Sequence, residues 1–285
     1  MFQLVPRREP GAAKLPAWLR KYSFHSRLSP GKIISIPAPP YGMDYDETTG
    51  VRNADKVVLF SEALATAVKD TVNSDQFALV LGGDCSVLIG CTLGLKSYGN
   101  YGLFFIDGHT DYVLPHSSFT KGAAAMDLAI VNGNRHLKLT NISNSIPYAE
   151  EENVFAFGNR EYDKEYVGGI ERSAIHYYDL RSIRSTGVSI ITKKFIEMIE
   201  EKKLDGFWIH FDVDVLDDQL MPAVDSRQED GLSYAELGET LQPLLESGYA
   251  AGMDITILDP DLDEEGKYTQ PFVKEMLEIF QNAKR

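Results

Sequence analysis

Two short acidic runs carry the most legible chemistry in this sequence. The first is Asp107-Gly108-His109-Thr110-Asp111, and the second is Asp212-Val213-Asp214, with Asp217 and Asp218 just beyond. In an extended segment residues two apart point the same way, so Asp107, His109 and Asp111 can converge, as can Asp212 and Asp214. Ionised carboxylates gathered in one place repel one another, and burying them unpaired costs several kcal/mol each. Either their pKa values rise sharply or a cation sits among them. Oxygen donors with one imidazole suit Mn²⁺, and Fe²⁺, Co²⁺ or Zn²⁺ less selectively.

The elements around these runs explain how they could meet. Ile33–Pro37, Phe77–Leu81, Gly102–Ile106, Val154–Gly158, Ile175–Tyr178, Phe207–Asp212 and Met253–Leu258 are apolar runs of strand length, continuous rather than alternating. That is the pattern of a parallel sheet covered on both faces. Helical periodicity marks Val57–Asn73, Val87–Lys96, Gly122–Asn132, Ile190–Lys203, Tyr234–Glu246 and Thr269–Ala283. Alternation of this kind predicts an α/β fold, a three-layer α/β/α domain with a mostly parallel, doubly wound sheet. No linker or repeat divides the chain, so residues 1–285 read as a single domain. Ligands of such sheets bind at the carboxyl ends of the strands. Three strand ends then deliver Asp84 (in Gly82-Gly83-Asp84-Cys85-Ser86), Asp107, His109, Asp111, Asp212 and Asp214 to one edge.

Composition narrows the alternatives. The 285 residues include 28 basic and 42 acidic side chains, a formal net charge of −14. Such a field repels phosphate backbones and anionic lipid, which argues against nucleic-acid and membrane partners. Two cysteines point to a reducing, cytoplasmic setting. No apolar run approaches the roughly 18 residues of a membrane span. The basic amino terminus lacks the hydrophobic centre of a secretory signal.

The motifs Gly82-Gly83-Asp84-Cys85-Ser86, Asp107-Gly108-His109-Thr110-Asp111 and Phe211-Asp212-Val213-Asp214-Val215-Leu216-Asp217 resemble, in order and spacing, the signature segments of the arginase/agmatinase/formiminoglutamase (ureohydrolase) family. Gly158-Asn159-Arg160-Glu161, Gly231-Leu232-Ser233 and Ile255-Thr256-Ile257-Leu258-Asp259-Pro260 extend the likeness, which runs from about Ile33 to the carboxyl end. The resemblance implies two Mn²⁺ ions and a shared hydroxide that attacks a guanidinium or formimino carbon. It implies that Asp107 and Asp212 bridge the ions, that His109 and Asp214 complete one site, and that Asp111 helps hold the other. It further implies a small cationic guanidino or amidino substrate and a homo-oligomer, a trimer or hexamer.

Three positions depart from the family pattern. Cys85 stands where the family has a histidine ligand for the first metal. A thiol must ionise to ligate, and thiolate favours softer ions. Cys85 either ligates a softer metal (Zn, Fe, Co or Ni), leaves that site weak, or is a small buried residue. Ala124 occupies the place of a family histidine, leaving His116 in the loop after the second motif and Asp127 in the same segment as candidate catalytic groups. Ile257 falls where many members carry a glutamate that grips the guanidinium, with Thr256 the nearest polar group and Glu161 a second substrate-binding candidate. His210, two residues before Asp212, reads as a hydrogen-bonded core residue.

The leading functional expectation is a metal-dependent hydrolase of C–N bonds in linear amidines or guanidines. The alternative is a catalytically impaired or non-catalytic member serving as a structural or regulatory oligomer. A single-zinc amide hydrolase ranks behind both, because an adjacent histidine pair is absent. A nucleotide enzyme ranks lower still, because no glycine-rich phosphate loop is present.

Overall fold

The computed structural model describes residues 11–40, 42–134 and 137–283; residues 1–10, on which most of the reading of the amino terminus rests, lie outside them. Six of the seven apolar runs pair into one sheet. After a small antiparallel ladder of β1 (Tyr45–Asp46) and β2 (Val51–Arg52), the sheet strands are β3 (Ala78–Leu81), β4 (Tyr101–Ile106), β5 (Val154–Phe157), β6 (His176–Tyr178), β7 (Gly206–Asp212) and β8 (Ala250–Thr256). Their order is β3-β8-β7-β4-β5-β6, and every pairing is parallel. From β4 the chain winds outward through β5 and β6, then returns to β7 on the other side of β4 and continues to β8. The winding reverses between β4 and β7, which makes their carboxyl ends the switch point where such folds place ligands.

The helices are α1 (Leu15–Lys21), α2 (Phe24–Leu28), α3 (Ala54–Val72), α4 (Val87–Lys96), α5 (Asp127–Val131), α6 (Leu137–Thr140), α7 (Lys164–Val167), α8 (Leu180–Thr186), α9 (Val188–Lys202), α10 (Tyr234–Glu246) and α11 (Thr269–Asn282). Strand alternation divides the core in two. Phe104, Ile106, Phe207, Ile209 and Phe211 pack with α9, α10 and α11 on one face. Leu103, Phe105 and Trp208 pack with α3, α4 and α5 on the other. His210 therefore lies on the same face as Trp208, toward α4 and α5. A reciprocal cap fixes the start of α10, where Ser233 and Glu236 satisfy each other's backbone N–H groups.

Two expectations are corrected. Ile33–Pro37 forms no strand: Ile33 and Ile34 are 55% and 43% exposed, and the run enters a proline-rich segment that lacks ladder donors. The helix expected over Gly122–Asn132 is broken at Met126, which leaves helical geometry at φ −153°, so that a 3-10 turn (Ala124–Met126) precedes α5. Average periodicity does not reveal a one-residue break. The break starts α5 at Asp127, and Ala129 N donates to Asp111 O at 3.1 Å, tying the helix to the turn after β4.

Candidate metal centre

Parallel pairing carries Ile106 of β4 beside Phe211 of β7, and Asp212 beside Thr256 of β8. Asp107 thus emerges one residue past β4 next to the end of β7, and its amide donates to Phe157 O at 3.0 Å. The Asp107 side chain is buried, and its two oxygens face two different clusters.

On one side, His109 Nδ1 lies 3.0 Å from Asp214 Oδ2 and 3.6 Å from Asp107 Oδ1. Backbone donors hold these carboxylates in place: His109 N to Asp107 Oδ1 at 2.6 Å, Gly108 N to Asp214 Oδ1 at 3.1 Å, and Asp214 N to Asp212 Oδ1 at 2.8 Å. Arg160, itself buried, donates to Val215 O at 2.9 Å and to Asp214 O at 2.7 Å, pinning the loop after β7. Gly108 and Gly158 make this closeness possible. A Cβ on Gly108 would stand 2.7 Å from Asp214 Oδ1, and one on Gly158, at φ +122°, would stand 2.7 Å from Asp107 O.

On the other side, His210 Nε2 lies 3.9 Å from Asp107 Oδ2 and 4.0 Å from Asp127 Oδ2. His210 Nδ1 pairs with Asp254 Oδ2 at 2.6 Å, and Trp208 Nε1 donates to Asp254 Oδ1 at 2.5 Å. Cys85 Sγ donates to Asp212 Oδ2 at 2.9 Å and lies 3.2 Å from Thr256 Oγ1. Its Sγ, an Asp107 oxygen and a His210 nitrogen all fall within 4.8 Å of one another, as do ligand atoms of Asp107, His109 and Asp214. Asp107 is common to both groups.

Asp107 Oδ2, Asp127 Oδ2 and His210 Nε2 are buried and have no hydrogen-bond partner among the described residues. Orphaned atoms of this kind are rare in folded proteins and mark sites completed by an ion or water. Imidazole and carboxylate donors whose remaining atoms are already oriented by hydrogen bonds suit a divalent cation. The residues therefore fit the metal group that the motifs imply.

Electrostatics make the same demand. Burial first, and then the Asp214 charge, raise the carboxyl of Asp107 above the usual range. Burial and neighbouring carboxylates push Asp111, Asp127 and Asp212 well up. Burial also raises Asp214, but His109 overcomes it and holds that carboxyl low. Burial would lower His109, yet Asp214 and Asp107 raise it well above its ordinary value. Burial, then Asp212, push the Cys85 thiol up. Upward shifts of this kind are what burial and mutual repulsion do to a carboxylate cluster.

Several expected groups lie elsewhere. Asp84 is exposed and accepts from the Ser86 amide and hydroxyl, so it is corrected from the inward set. Asp218 pairs with Arg227 at 2.6 Å in solvent, and Asp217 accepts from Gln219 N. His116 is exposed beside Tyr45, Glu47, Thr49 and Lys121, in a shallow depression that shares no residue with the two clusters. Thr256 is fully buried beneath Cys85, and its hydroxyl donates to Phe211 O at 3.4 Å. Glu161 is half-buried and accepts from Gln228 Nε2 at 3.0 Å. Asp127 is completely buried among the ligand atoms rather than at the site mouth. His210 has the expected hydrogen-bonded core position, but its second nitrogen faces the carboxylates. Asp254 and Arg160 were not singled out as site residues; Asp254, on the same strand face as Thr256 and level with His210, was within reach of pairing arguments.

Fold and site together describe an α/β protein whose switch point carries candidate ligand groups for a divalent cation. The family model of the Arginase family matches residues 7–280. An arginase of Brevibacillus brevis is 30% identical over 269 residues, covering 94% of this chain and 88% of that protein. An arginase of Staphylococcus aureus is 29% identical over 231 residues, covering 81% and 76%. The structure of Bacillus caldovelox arginase superimposes with a TM-score of 0.85 at 26% identity, covering 96% of this chain and 95% of that one. The chain belongs to the arginase family, a family of binuclear metal enzymes, and is a ureohydrolase-type hydrolase.

Proposed function

We propose that the chain hydrolyses a C–N bond of a linear amidine or guanidine with two divalent cations held by Asp107, His109, Asp111, Asp212 and Asp214, Mn²⁺ being the first candidate. The observation that carries this reading is the Asp107 carboxylate, which offers one oxygen to each of two ligand clusters. When bound, the cations supply Lewis acidity and make water a competent nucleophile at neutral pH. The protein's part is positional. Arg160 and the Gly108 amide fix Asp214, the His109 amide fixes Asp107, and the Asp214 amide fixes one oxygen of Asp212. The acidic strand edge attracts a cationic guanidino group. Glu161, held by Gln228, offers a further anionic contact. By family likeness the molecule works as a homo-oligomer, and its two cysteines suit the reducing cytoplasm.

A second reading, a non-catalytic structural or regulatory member, is favoured by Ala124 and Ile257, which put apolar groups where a proton carrier and a substrate carboxylate stand in the family. Release of urea or ammonia by metal-loaded protein separates the two. Arginine, agmatine, guanidinobutyrate, formiminoglutamate and simple guanidines form the panel. Turnover of at least one, lost in Asp212→Asn, is expected. Absence of turnover with both cations bound would favour the second reading.

A further inference from the structure

The resemblance leaves the first cation one ligand short, because Cys85 replaces a histidine. The structure places a different imidazole within reach. His210 comes from the interior of β7 rather than from the loop after β3, and it stacks on Phe105 at 4.6 Å between ring centroids. Its Nδ1 is occupied by Asp254, so Nε2 is the nitrogen left over, and it faces Asp107 and Asp127. Asp127 Oδ1 is likewise occupied, accepting from Leu128 N at 2.7 Å, and Oδ2 is left over. Each of the three side chains has one atom anchored and one orphaned, and the orphaned oxygens of Asp107 and Asp127 both face His210 Nε2.

Distances agree with a shared ion. Zinc-type bonds of about 2.0–2.1 Å to nitrogen and oxygen imply ligand-to-ligand separations near 3.3 Å in a tetrahedron. The observed 3.9 and 4.0 Å about His210 Nε2 need a contraction of roughly 0.6–0.7 Å, and Asp127 must also swing toward Asp107. Cys85 Sγ groups with the Asp107 and His210 ligand atoms, all within 4.8 Å of one another. A thiol that donates to a carboxylate can hand that proton to solvent when a cation takes its place, since a coordinating thiol is deprotonated. Asp254 then plays the part of the acceptor that fixes the imidazole tautomer.

We infer that the first cation position is rebuilt in this chain around Asp107, His210 and Cys85, with Asp127 drawn in from beside His210, a mixed N, O and S set that selects Zn²⁺ or Co²⁺ over Mn²⁺. The second position keeps Asp107, His109, Asp212 and Asp214, and Asp111 remains beside the first. This deepens the proposed function and rests on it only for the presence of two cations; neither Asp127 nor His210 is a ligand in the set that the resemblance implies, and Cys85 stands at a ligand position of that set.

Co²⁺ titration of chelator-stripped full-length protein tests the assignment without reference to turnover. Wild-type protein is expected to bind two equivalents, one of them with a near-ultraviolet sulfur-to-cobalt charge-transfer band. Cys85→Ser should lose the band. His210→Gln and the isosteric Asp127→Asn should each lose the band-bearing equivalent and keep the other, with circular dichroism confirming the fold. A wild-type spectrum without the band, or two equivalents bound by both His210→Gln and Asp127→Asn, would overturn the assignment. Two equivalents with the band but no hydrolysis of any amidine would leave this site standing and remove the hydrolase reading instead.

Discussion

Asp254 shows how much one buried carboxylate decides. It accepts from Trp208 Nε1, a group that can only donate, and from His210 Nδ1. That pairing leaves His210 Nε2 as the lone-pair nitrogen. Asp254→Asn can keep the Trp208 bond, but its amide nitrogen then faces His210 and favours the opposite tautomer, with the proton on Nε2. The expected result is a roughly 10–100-fold loss of affinity for one of the two cations, read by calorimetric titration, with the other unaffected. At this scale the sequence was informative about Asp107, His109, Asp212 and Asp214, because alternate spacing forces neighbours in an extended segment onto one side. It marked Asp127 only as a candidate catalytic group, not as a neighbour of the metal ligands, and was silent about the outward nitrogen of His210. Spacing along β7 puts His210 on the face of Asp212, but only the position of α5 shows what that face meets.

Elements position these residues through backbone contacts that tolerate little added bulk. Gly158 follows β5 at φ +122°, and a Cβ there would lie 2.4 Å from Val215 Cγ2 and 2.7 Å from Asp107 O. Gly158→Ala combines a left-handed backbone with overpacking, and a loss of about 3 kcal/mol in urea unfolding is expected. Because Val215 and Asp107 move together, cation affinity should fall as well. A wild-type midpoint and affinity would show that the two loops are not held by this contact. Strands and long helices were legible because β4, β5 and β7 are buried on both faces, and because α3, α4, α9, α10 and α11 each run for ten residues or more. Ile33–Pro37 misled because apolar content does not report whether an edge is available to pair. The kink at Met126 was hidden because one residue with non-helical φ changes no periodicity, yet it presents Asp127 to the site.

At the scale of the whole molecule, the formal charge of −14 divides into two populations. Some acids are solvated, such as Asp84 and Asp218. Asp107, Asp127, Asp212 and Asp214 are instead buried at one switch point. Gathering them there costs stability unless cations or protons compensate, so the fold and its ligand charge form one system. Asp107 is the joint between the two halves of that system, since each of its oxygens serves one cluster. Metal analysis after equilibrium dialysis of wild-type and Asp107→Asn proteins tests this most directly. Two equivalents in the wild type and loss of both in the variant are predicted; a variant that retains the wild-type count would contradict a centre shared through Asp107.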